Sequence, residues 1–210
     1  MTAPAALPPF AALAGDRRGA VMIEFALIVP VLVVLLLGAL DTGRLVLAHQ
    51  KADSTAATVA DLVARASPFQ NTPSQICAAM DAAVHVFEPF ALADGDAVRV
   101  TSITLTGTST TTAPTATANW QAELTGGSSS GCAVTELDAA TTVPADLDTG
   151  AGLGLDDGDR IHLIVGEMVY THDSWFWPVL NSSAQHSMTL TTVLRPRQSS
   201  LTELLPDSMI

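Results

Sequence analysis

From Ala20 to Leu40 the chain reads AVMIEFALIVPVLVVLLLGAL, with Glu24 as its single charge. The run reaches the about 20 residues that a helix needs to cross the hydrocarbon layer of a bilayer. Beyond it the pattern turns to a helical period. Leu45, Ala48, Ala52, Thr55, Val59, Leu62 and Ala66 recur every three or four residues, so the helix is expected to continue to residue 66. This stripe is narrow and rich in Ala and Thr, which suits packing against a domain or a partner helix. SPFQNTP then breaks the pattern. Thr72 can cap a second, short helix with Pro73 at its first position. Ile76, Met80, Ala83 and Phe87 give that helix its apolar face, and Pro89 ends it.

The remaining periodicity is that of strands. AVRVTSITLT (97–106) is rich in β-branched residues, and TATANWQAEL (115–124) predicts a second strand with Trp120 turned inward. TGGSSSG (125–131) reads as a flexible loop leading to Cys132, and residues 141–160 read as irregular. RIHLIVGEMVYT is apolar at odd and even positions alike, which predicts the central strand. SMTLTTVL alternates cleanly and predicts an outer strand. The tail beyond Arg197 is expected to be poorly ordered. The fold class that follows is α+β: a long N-terminal transmembrane helix, then a small, mostly antiparallel sheet domain with a second short helix.

Composition narrows the function classes. A formal net charge of −12 excludes a basic nucleic-acid-binding face. Hydrophobic residues make up 48% and charged residues 14%, too apolar for a disordered chain. Cys77 and Cys132 form no C-x-x-C pair, which speaks against zinc. Outside the cytoplasm a disulfide between them is the natural reading, with two separate buried thiols as the alternative. Closing a loop of about 55 residues contributes roughly 4 kcal/mol in the chain-entropy treatment.

Arg17 and Arg18 precede the apolar run, while Asp41 and Arg44 follow it and cancel. The positive-inside rule therefore places the N-terminus in the cytoplasm and the rest across the membrane. Three readings of the run compete. A cleaved signal peptide, with Val46-Leu47-Ala48 as its site, needs a shorter apolar core. A plain signal anchor leaves Glu24 as a merely tolerated charge, at about 2.5–3.5 kcal/mol if it stood at the helix centre. In the third reading a peptidase cuts after Gly19. Ala20 then carries a new α-ammonium and Glu24 becomes the fifth residue, one helical turn away on the same face. Ammonium, carboxylate and helix dipole then gather at one end. Between neighbouring helices such a pair favours one register, because an unpaired charge in a low dielectric is costly.

The residues Arg17-Arg18-Gly19-Ala20-Val21-Met22-Ile23-Glu24-Phe25-Ala26-Leu27 resemble the processing motif of TadE-like pseudopilins of the tight-adherence (Flp, type IV) pilus system. Pro30, six residues after Glu24, fits the same pattern. GDRIHLIVGEMVYTHDSWFWPVL resembles the family's late strand with its aromatic-and-proline tail, and SMTLTTVLRPR its last strand. The resemblance implies cleavage between Gly19 and Ala20 by a prepilin peptidase, and a processing and assembly motif at Glu24 and Phe25. It also implies a kink at Pro30 and a structural subunit rather than an enzyme. It further implies residues 1–19 as a cytoplasmic leader, 20–40 as the transmembrane helix, 41–66 as its periplasmic extension, 67–197 as a periplasmic α+β domain and 198–210 as a tail. The implied location is the bacterial inner membrane, with pilus association after assembly. The implied partners are other pseudopilins and the major pilin, the prepilin peptidase and the inner-membrane pilus platform. An unprocessed single-pass protein with a periplasmic partner- or ligand-binding domain is the alternative.

Other chemistry finds little support in the sequence. His49, His85, His162, His172 and His186 lack helical metal spacing, and no cofactor is expected. The Asp148, Asp156, Asp157 and Asp159 region lacks the alternation of a calcium loop, and Gly150, Gly152 and Gly154 are not followed by a helix. No Gly-x-Ser-x-Gly elbow occurs. Trp175, Phe176 and Trp177 are the candidate partner surface, with a core plug under the sheet as the plainer reading.

Overall fold

The computed structural model describes residues 18–65, 72–107, 115–127, 131–139, 157–174 and 185–197. Helix α1 spans Arg18–Arg65 as one element of 48 residues and runs through Pro30 without a break in its assignment. The chain divides into two units between Arg44 and Leu45, inside this helix. In the first unit the described residues are the helix itself. Apart from the half-exposed Val29, its large apolar side chains from Val21 to Leu40 are exposed, Phe25 at 65% and Leu27 at 73%.

The second unit holds the rest of α1, helix α2 (Pro73–Val84) and a 3-10 turn, His85–Phe87. Thr72 stands at the α2 N-cap with extended φ −93° and ψ 150°. It caps through its carbonyl, which accepts the amides of Gln75 and Ile76 at 3.1 and 3.0 Å, and its hydroxyl makes no capping bond. Ile76, Met80, Ala83 and Phe87 are buried along one face, as their spacing predicts.

Five strands follow: β1 (Ala97–Thr106), β2 (Thr115–Thr125), β3 (Gly131–Ala139), β4 (Arg160–Asp173) and β5 (Gln185–Leu194). They form one sheet in the order β3-β2-β1-β4-β5, every neighbouring pair antiparallel. Three expectations change. The stretch after the TGGSSSG loop is a strand, β3. The middle of the sheet is β1, not β4. The two share the property behind the expectation, since each is flanked by strands on both sides and buries apolar residues on both faces. Leu62, placed on the packed stripe of α1, is 40% exposed; the buried row there runs through Ala56, Ala60, Val63 and Ala64 instead. A strict three-or-four spacing drifts off the true face over several turns, and the alanines that carry the face are too small to announce it.

The main core lies between one sheet face and the two helices. Ala48, Ala52, Ala56, Val59, Ala60 and Val63 of α1 meet Ile164, Met168 and Tyr170 of β4 and Met188 and Leu190 of β5, with Trp120 fully buried on β2. A smaller cluster of Ile103, Leu105, Leu163 and Val165 occupies the opposite face. Helix and sheet approach closely at Gly166. A Cβ added there would sit 2.6 Å from the Ala56 carbonyl oxygen and 2.9 Å from the Ala60 Cβ. No side chain larger than hydrogen fits without moving the helix.

This contact gives a first test. Gly166→Ala should destabilise the second unit by about 1–3 kcal/mol, the usual cost of overpacking, and Gly166→Val by more. Equilibrium denaturation of the two variants reads the difference. An unchanged midpoint for both would mean that the helix does not press on the strand there.

Candidate functional site

Gly19 and Ala20 lie in the first turn of α1. Glu24 follows Ala20 by four residues and so comes one turn later on the same side of the helix. Glu24, Phe25 and Pro30 are all exposed. Around Glu24 the helix presents Val21, Met22, Ile23, Leu27 and Ile28 to its surroundings, each more than half exposed. Between Val21 and Leu40 Glu24 is the one ionisable side chain. This part of α1 has a mean hydropathy of 2.8 over its most apolar window and is long enough to cross a membrane. In water such a surface is unfavourable at about 25 cal/mol per Å². Lipid or other apolar helices are its natural surroundings. A lone carboxylate in that setting needs either the interface or a cation.

Cys77 on α2 and Cys132 on β3 are joined by a disulfide, with their Cα atoms 5.7 Å apart. The bond ties α2 to the edge of the sheet. Cys132 lies opposite Leu124 in the β2–β3 register. Trp175, Phe176 and Trp177 lie outside the described residues, as do Asp148, Asp156 and the glycines at 150, 152 and 154. Asp157 opens a turn, and the Asp159 carbonyl accepts the Gly107 amide at 2.8 Å.

The histidines occupy separate surroundings. His49 and His186 are exposed. His85 pairs with Glu88 at 3.0 Å on the surface, and that hydrogen bond raises its pKa. His172 is buried beside Tyr170, ring centroids 6.4 Å apart, and faces His186 in the β4–β5 register. Among the described residues no group of three or more His, Cys, Asp or Glu is placed to hold a metal ion.

Two polar features carry no sequence motif. Asp96 is buried just before β1. Its Oδ1 accepts the Thr171 amide at 2.8 Å and its Oδ2 the Ala93 amide at 2.9 Å. One carboxylate thus pins the turn before β1 to the far end of β4. The only sequence hint is its place in ADGDAV, after Gly95 with φ +93°. The second feature is a bulge. The β1–β2 and β2–β3 registers both slip around Asn119. The Asn119 amide nitrogen donates to Ser102 Oγ at 3.2 Å and Thr104 Oγ1 at 2.9 Å. Thr104 Oγ1 in turn lies 3.0 Å from His162 Nδ1. Burial lowers the His162 pKa below its ordinary 6.5, and Arg160 adds to the effect. His162 is thus half-buried in a strand network.

Residues 19–61 match the family model described as TadE-like protein. The match begins at Gly19 and lies within α1; it covers the processing motif from Gly19 onward and Pro30, and it does not reach the two late segments that also resemble the family. No curated protein and no solved structure matches the chain. The matched segment lies wholly within the N-terminal apolar helix and leaves the sheet domain beyond Asp61 unmatched.

Two outcomes follow for the second unit. Reducing Cys77–Cys132, or changing both to Ser, should lower stability by about 2–5 kcal/mol, read as a drop in denaturation midpoint. For His162 the unfolded chain holds its proton to higher pH than the folded one. Unfolding therefore takes up a proton between the lowered pKa and 6.5. The contribution is fully present above that window and fades as pH falls through it. His162→Gln should flatten this fall in melts across the acid range, and an unchanged pH profile would contradict it.

Proposed function

We propose that this chain is a structural subunit of a tight-adherence pilus, inserted with its N-terminus in the cytoplasm, cut after Gly19 and assembled through its N-terminal helix. The observation that carries the reading is one register. Gly19, Glu24 and Phe25 stand at the leading edge of an apolar helix whose large side chains from Val21 to Leu40, Val29 apart, are exposed. The family match starting at Gly19 supports it.

The chemistry runs in three steps. Arg17 and Arg18 hold the leader on the cytoplasmic side while the apolar run enters the bilayer. The peptidase then frees the Ala20 amine and removes both arginines. The helix is left with an ammonium at Ala20 and a carboxylate at Glu24. When another processed helix approaches, the carboxylate of one meets the ammonium of the other, and the apolar flanks pack around the pair. A mismatch in register would strand a charge in hydrocarbon, so the pair selects one stagger between subunits. Residues 1–19 act as the leader, 20–40 as the span, and the sheet domain lies in the periplasm. Other pseudopilins, the major pilin and the inner-membrane platform are the partners. The role is to prime, scaffold or tip a fibre, and no catalytic step is assigned to it.

Glu24→Ala tests this against a simple anchor. The variant should insert normally and reach wild-type levels in the membrane fraction, yet fail to join or support pilus assembly. Pilus yield and co-purification with the other subunits are the readouts. Normal assembly by Glu24→Ala would favour the unprocessed single-pass protein instead.

A further inference from the structure

The two edges of the sheet differ in the feature that governs strand pairing. Edge strands expose unpaired N–H and C=O groups, and proteins normally guard them with charge, proline or bulges. β3, one edge, carries Glu136 and Asp138, and its pairing slips beside the Asn119 bulge. Its Cys132 is bonded to α2. β5, the other edge, reads QHSMTLTTVL, ten residues without Asp, Glu, Lys, Arg, Pro or Gly. Its register with β4 is regular from Gln185 to Leu194. Among the described residues no strand pairs with its outer side. Met188 and Leu190 face the main core, so an added strand would extend that core by its own alternate side chains. On the other face Ser187 and Thr189 are exposed. Just past the strand stand Arg195 and Arg197, both exposed guanidinium groups in a chain of net charge −12.

We propose that β5 is a docking edge for an extended segment of another protein subunit, which adds to the sheet as a sixth, antiparallel strand. Its chemistry follows from the edge. The segment is uncharged along the stretch that pairs with β5, carries apolar residues there at alternate positions, and has an acidic residue just before it, at its N-terminal end. Antiparallel addition brings that end to the C-terminal end of β5, where Arg195 meets the carboxylate. Backbone hydrogen bonds supply affinity, and the alternate side chains supply register. A second copy of this chain is disfavoured by charge: β5 itself holds no carboxylate, so antiparallel pairing of two β5 strands offers Arg195 no partner within the added strand.

The inference does not depend on cleavage after Gly19, and its test leaves that step untouched. The full chain is purified in detergent and titrated with a labelled synthetic peptide, Glu followed by alternating Thr and Val. Fluorescence anisotropy reads binding. The double variant Thr189→Lys, Thr191→Lys places gatekeeper charges on the β5 edge without entering the main core. It should weaken binding at least about tenfold. Thr135→Lys on β3 is the control for added charge and should leave binding unchanged. Arg195→Glu should weaken binding at low salt and lose most of that effect at high salt. Peptide binding that survives the double variant, or no binding by the native chain, overturns the proposal. So does a β5-dependent dimer of the chain alone in sedimentation. Circular dichroism and the denaturation midpoint of each variant establish that it is folded before its binding is read.

Discussion

A helix can lie close to a sheet only where the side chains between them are small. Here that requirement is met from both sides. α1 offers Ala48, Ala52, Ala56, Ala60 and Ala64, and β4 answers with Gly166. The contact brings the Ala56 carbonyl and the Ala60 methyl within reach of a strand backbone. Everything else in the second unit is arranged about this approach. β4 needs strands on both sides to satisfy its backbone, and β1 and β5 supply them. Trp120, Phe87 and Met80, the largest fully buried side chains among the described residues, join the same core. Asp96 fixes the start of β1 to β4, and the disulfide fixes α2 to β3.

The same helix carries a different chemistry before Leu45. From Val21 to Leu40 its large apolar side chains are Leu, Val, Ile, Met and Phe, and all but the half-exposed Val29 are exposed. Large branched side chains suit hydrocarbon and would hold a helix away from a sheet. Small ones suit a sheet and give little to a bilayer. The change of side-chain size along one helix thus suits its two parts to different surroundings. Glu24 is the exception within the first part. Its position one turn after Ala20 is what turns an unfavourable charge into a candidate assembly contact.

Much of this was readable from the sequence because the relevant signals are local. Thr72-Pro73, the spacing of Ile76, Met80, Ala83 and Phe87, and the alternation in β2 and β5 each act over a few residues. The processing motif is equally local, being defined by Gly19, Glu24 and the apolar run. What escaped depends on partners distant in the chain. β3 holds Glu136 and Asp138 and gives no strand signal of its own until β2 supplies its ladder. β1 takes the middle of the sheet because of topology, which no single strand encodes. The role of Asp96 rests on Thr171, which is 75 positions away. His162 belongs to a side-chain network that runs through Thr104 of β1 to Asn119 of β2, two strands away. Leu62 misleads because apolar size outweighed the alanines that mark the true face.

The central claim is that the helix begins a new chain at Ala20. N-terminal sequencing of the protein recovered from membranes of cells that carry the matching prepilin peptidase tests it directly. The account predicts a mature chain beginning Ala-Val-Met-Ile-Glu-Phe, with the leader through Gly19 gone. Recovery of the chain with residues 1 to 19 intact under those conditions would contradict it.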